Sequence, residues 1–170
     1  MKINLYAIIA SLEKTLKNKG VPFKEGFPLV PSQMLVDEIP EDILPHPNHL
    51  KAKNPSKTLI CNFSQDDLLY LSLKELDKRI AIWKNFMGIC GFDFSARIGD
   101  EEVSQDLYLY INKLLDSYVA LNGIKILPNF RIAGSISSLN VLRIYPSKSS
   151  FAVGTWLWRK WRIKYHSTSI

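Results

Sequence analysis

Three polar residues in this 170-residue chain are of types that can do chemistry together: Asp93, Asn129 and Arg131. A carboxylate can act as a general base or hold a metal while an amide and a guanidinium orient a polar substrate. Asp93 can equally cap the next turn and pair with Arg97 or Arg131, which needs no substrate. Asp66-Asp67 follows the apolar run ending at Phe63, so one of them could join Asp93 in a carboxylate cluster suited to Mg²⁺. The same pair suits the positive end of a following helix, which is the preferred reading. Sugar cleavage needs a second carboxylate flanking the bond. The nearest, Asp100, Glu101 and Glu102, look like the solvated acidic start of a helix. His46-Pro47-Asn48-His49 places two imidazoles three residues apart, but in a proline-rich stretch without a third close ligand, and it reads as a surface loop rather than a zinc site. No nucleophile triad or phosphate loop accompanies these groups, and neither a cofactor nor a metal site is expected.

A second chemistry-bearing stretch lies near the end. Residues 156 to 165 hold three tryptophans and four Lys or Arg. Aromatic faces interleaved with cations can stack bases and neutralise phosphates, so Trp158, Arg159, Lys160, Trp161, Arg162 and Lys164 are candidate DNA or RNA contacts. The same composition suits a membrane interface, or tryptophans packed over a sheet edge. All 16 acidic residues lie at or before Asp116, and the 54 residues after it carry eight Lys and Arg. That asymmetry points to a polyanion, an anionic surface or an acidic protein partner.

Elements of regular structure must position these groups. Leu5, Ile8, Ile9, Leu12 and Leu16 have the spacing of an amphipathic helix over about residues 3 to 18, stopped by Asn18 to Gly20. Seven prolines between Val21 and Lys57 predict an extended, turn-rich segment with at most one helical turn, near Pro31 to Val36. Thr58 to Phe63, Met87 to Ser95, Ile124 to Phe130 and Phe151 to Thr155 read as strands. Between them, Ser72 and Glu75 have the form of a capping box for a helix reaching about Lys84, with Leu73, Leu76, Ile80 and Trp83 on one face. Leu107, Ile111, Leu114, Leu115 and Tyr118 mark a second helix, over Ser104 to Leu121, that stops at Asn122-Gly123. Alternating strands and helices imply an α/β fold with parallel neighbours joined by right-handed crossovers, as a half-barrel or small open sheet. Asp93 and Asn129 then fall at the carboxyl ends of strands, where such sheets place ligands.

Length and a 46% hydrophobic content allow one ordinary core. No apolar run is long enough to span a bilayer, and the start lacks the form of a secretory signal. Cys61 and Cys90 lie in apolar runs without a C-x-x-C, which predicts buried, reduced thiols and a cytoplasmic location.

The series Asp93-Phe94-Ser95, a helix containing Asn112, Gly123 to Asn129, and Phe151-Ala152-Val153-Gly154-Thr155 resembles the domain-of-unknown-function family numbered 4417, over about residues 58 to 155. The resemblance implies a βα-repeating fold in a phage, plasmid or other mobile-element setting, and no particular activity. Phe92 stands where that family has a proline, and after Thr155 the chain departs from its pattern. The expected organisation is one α/β domain over 1–155, with a βα core from 58, and a basic aromatic tail over 156–170 that reads as a shortened or frame-shifted end. The expected function is that of an accessory protein associated with nucleic acid. The alternatives are a βα-barrel-like enzyme, hydrolytic or metal-assisted, built around Asp93, or a module binding an acidic protein.

Overall fold

The computed structural model describes residues 4–63, 69–70, 73–95, 99–130, 144–146 and 149–152. Helix α1, Leu5–Asn18, begins where the Asn4 side chain accepts the Ala7 N–H at 3.1 Å, and it buries Leu12 and Leu16. A short antiparallel pair follows, β1 at Phe23–Lys24 with β2 at Phe27–Pro28. The principal sheet has four parallel strands in sequence order: β3 at Asp42–Pro45, β4 at Thr58–Cys61, β5 at Gly88–Cys90 and β6 at Ile126–Leu127. Leu35 and Ala152 add isolated parallel bridges to Ile126 and Asn129. Helix α2, Leu76–Trp83, links β4 to β5, and α3, Glu102–Leu121, links β5 to β6.

Because strand order follows chain order, right-handed crossovers must all pass over the same face. The core agrees. Side chains alternate across a strand, and Ile60, Ile89 and Ile126 point into the cluster that holds Leu16 of α1, Trp83 of α2 and Leu115 of α3. Their neighbours Leu59, Cys61, Cys90 and Leu127 form a separate buried cluster with Val36 and Ala152. The sheet is therefore singly wound, the arrangement of a half-barrel.

The α/β class follows the sequence expectation, with three corrections of extent. The proline-rich segment is more than a turn-rich connection, because it contains β3, which pairs with β4 from Asp42↔Thr58 to Pro45↔Cys61. A strand with this proline content is tolerated where one side needs no ladder partner. The expected helical turn is present at Ser32–Met34, and two more 3₁₀ turns occupy His46–Lys51 and Pro55–Lys57. Second, the strand expected to reach Ser95 pairs only through Cys90, and residues 91–95 continue beyond the ladder. Third, Glu75 rather than Ser72 sits at the N-cap of α2 and makes no side-chain capping bond; Ser72 is outside the described residues. The face named for α2 holds: Leu73, Leu76, Ile80 and Trp83 are all buried. On α3, Leu107 is instead 44% exposed, because the buried surface includes polar positions that hydrophobic spacing does not register.

Candidate functional site

The segment leaving β5 is organised by α3. Asn112 and Asp116, one helical turn apart, face it. The Phe92 N–H donates to Asp116 Oδ1 at 2.9 Å, and the Phe94 N–H donates to Asn112 Oδ1 at 2.8 Å. Asn112 Nδ2 returns a bond to the Phe94 carbonyl at 3.1 Å. The Gly91 N–H still reaches the Leu127 carbonyl of β6 at 2.9 Å, and beyond it these side-chain bonds serve Phe92 and Phe94 in place of ladder partners. The Phe92 and Phe94 side chains are buried, whereas Asp93 between them is only partly buried. Gly91 is required at the start of this clamp. A Cβ there would lie 2.8 Å from Asp116 Oδ2 and 3.1 Å from the Asn129 backbone nitrogen.

Asp93 is held from the neighbouring strand. Asn129, just past β6 and buried, donates from Nδ2 to Asp93 Oδ1 at 2.7 Å. Asn62, just past β4 and also buried, donates to the Cys90 carbonyl at 3.4 Å. Three successive strands thus lead into Asn62, Asp93 and Asn129 at their carboxyl ends. The sequence reading placed Asp93 and Asn129 at one rim, and the structure joins them directly. Asn62 was missed; its signal was a lone amide in the apolar run Thr58 to Phe63. Arg131, Arg97, Asp66, Asp67 and the tail residues Trp158, Arg159, Lys160, Trp161, Arg162 and Lys164 lie outside the described residues.

Behind the clamp sits a buried ionic cluster that the sequence did not announce. Lys113 donates to Asp116 Oδ2 at 3.0 Å and to the Tyr145 hydroxyl at 2.5 Å, with side-chain exposures of only 2% for the lysine and 0% for the aspartate. Burial alone would depress the lysine pKa; the Asp116 carboxylate and Tyr145 outweigh it and hold the ammonium above its ordinary range. Burial raises the Tyr145 phenol against the opposing pull of Lys113. With no solvent access, this cluster fixes the Phe92 backbone and docks residues 144–146 on α3.

Below the rim, Cys61 and Cys90 are free thiols, as the sequence suggested, and both are buried. A hydrogen bond from Cys90 lowers the Cys61 pKa, against burial and the nearby Asp93 charge, while Cys90 is pushed well above its ordinary value. The exposed Glu101 and Glu102 stand at the start of α3, as expected. His46 and His49 are less loop-like than expected. Their rings stack at 5.4 Å, and His46 Nδ1 accepts the Trp83 indole N–H at 3.0 Å. Burial, then the charges of Arg79 and His49, hold the His46 pKa at about 4. Among the described residues no group of three or more His, Cys, Asp or Glu could hold a metal ion.

Two shallow hollows lined by described residues lie at the amino end of the sheet, away from Asp93. One, of about 480 Å³, lies beside His49, Ile82 and Phe86; the other, of about 380 Å³, lies beside Trp83, Met87 and Lys125. No described helix is long and apolar enough to cross a membrane. Comparison of the chain with family models, curated proteins and solved structures returned no match.

Proposed function

We propose that the protein works through its carboxyl-end rim, as a βα-barrel-like enzyme of hydrolytic type in which Asp93 is the proton acceptor and Asn129 fixes its orientation. The observation that carries this reading is the 2.7 Å bond from a buried amide to a partly buried carboxylate at the ends of adjacent parallel strands. Open α/β sheets and barrels place their ligands at that end. Arg131, two residues beyond Asn129, is the cation assigned to a polar substrate. The test is turnover of a panel of p-nitrophenyl esters, phosphoesters and glycosides by the full chain and by Asp93→Asn. Turnover lost on substitution, with unchanged circular dichroism, supports the proposal. Turnover that is absent, or equal in both proteins, overturns it.

A second reading rests on the charge distribution. In it the protein is a cytoplasmic accessory factor of mobile-element type, in keeping with the resemblance to the 4417 family, and it binds DNA or RNA through its basic end. Arg159, Lys160, Arg162 and Lys164 contact phosphates while Trp158 and Trp161 stack. Four neutralised phosphates give a log-log salt slope of about −3.6 on duplex DNA, so affinity should fall roughly a hundredfold between 50 and 200 mM salt. Anisotropy of labelled single- and double-stranded DNA, against the chain with those four residues changed to Glu, measures this. Salt-independent or absent binding removes the reading, and would leave an acidic protein as the partner of the basic end.

A further inference from the structure

Cys61 and Cys90 occupy a lateral pair of the parallel sheet, one step beyond Ile60↔Ile89. Neighbouring strands lie about 4.7–4.9 Å apart. A disulfide needs a Cα separation of about 4.4–6.8 Å, so the backbone spacing already suits one. Residues paired across a ladder point to the same face, and both thiols belong to one buried cluster with Leu59 and Leu127 between sheet neighbours. They are the chain's only cysteines, so no third thiol competes. Their access differs: Cys61 retains 6% exposure and Cys90 none.

We propose that Cys61 and Cys90 are a peroxide-oxidisable dithiol that closes to an intramolecular disulfide joining the carboxyl ends of β4 and β5. Cys61, the more exposed of the two residues, attacks one oxygen of hydrogen peroxide. The O–O bond breaks, the departing oxygen leaves as water, and Cys61 becomes a sulfenic acid. Cys90 then attacks the Cys61 sulfur. The S–S bond forms as the S–O bond breaks, and the hydroxyl leaves with the Cys90 proton as a second water. The two thiols lose two electrons in total and peroxide gains them. The product fixes the strand ends between which Asn62 bonds to the Cys90 carbonyl. This step does not depend on the rim being an enzyme site.

The test treats the full chain with hydrogen peroxide under native conditions, then quenches, denatures, alkylates and digests with trypsin. The expected result is loss of both alkylatable thiols and a peptide joining residues 58–74 to residues 85–97, lighter than the sum of its parts by two hydrogen atoms and released by dithiothreitol. Cys90→Ser should abolish the link and leave Cys61 as a sulfenic or sulfinic acid. Two freely alkylated thiols after treatment of the unsubstituted protein, a sulfinic acid at Cys61 without the link, or linkage found only between separate chains would each overturn the proposal. Because the deciding measurement is made on the unsubstituted chain, poor folding of Cys90→Ser would not rescue it.

Discussion

The rim and the ionic cluster behind it both bear on residues 91–95, yet they differ in exposure to solvent. Phe92 and Phe94 turn toward α3, where their backbone groups bond Asp116 and Asn112. Asp116 is closed off from water and engages Lys113 as well as the Phe92 N–H. Asp93, one residue away and on the opposite side, is held by Asn129 and keeps partial exposure. The difference teaches how a strand end can be rigid and still present a reactive group. Alternation gives one side to packing and the other to solvent. A charge on the packed side must be fully compensated, because an unpaired buried ion is costly; a charge on the solvent side need not be.

The largest effect should come from breaking the compensated side. Lys113→Met leaves Asp116 without its cation in a buried place, and urea denaturation should show a loss of about 3–5 kcal/mol. A loss under 1 kcal/mol would mean that the cluster contributes little to the fold. Gly91→Ala should come next. Its new Cβ presses on a carboxylate already held by two partners, and overpacking of this kind costs about 1–3 kcal/mol. A tolerated alanine would show that Asp116 can shift, and that the clamp is looser than its distances indicate.

Asp93→Asn should cost less, under about 1.5 kcal/mol, because the amide oxygen can still accept from Asn129 and only the charge assistance of that bond is lost. If its cost matched that of Lys113→Met, the rim would be as structural as the cluster and the comparison would collapse. The smallest effect is a pH dependence at the edge of the sheet, where His46 follows β3. His46 is held neutral, with its pKa near 4 against 6.5 when unfolded. As pH falls through 6.5 the unfolded chain takes up a proton that the folded chain refuses until about 4. Stability from this site is therefore complete above pH 6.5 and erodes between 6.5 and 4. Thermal melts across that window, compared with His46→Gln, should show a shallower decline in the variant.

Much of the frame could be read locally. The span of α1 is written in its apolar spacing. The apolar runs at Thr58, Met87 and Ile124 lead into β4, β5 and β6, and Asn122-Gly123 stops α3. Asp93 and Asn129 could be assigned to one rim because parallel strands carry their polar ends to the same side. Other features were hidden because their signals are not local. In the sequence Asp116 is merely the last acidic residue, and Lys113 a cation on a helix. β3 lies among prolines that look like loop, since an edge strand needs ladder bonds on only one side.

The sequence by itself determined the α/β class, the order of helices and strands after residue 57, the two isolated cysteines and the basic bias of the end, because each follows from periodicity, turn chemistry or composition along the chain. Tertiary structure decided that helices α1, α2 and α3 share one face, that Cys61 stands beside Cys90, and that Asp116 is sealed in while Asp93 keeps partial exposure. Those outcomes depend on strand register and on what packs over each residue. Both are set by contacts between segments tens of residues apart, beyond the reach of any pattern within one segment.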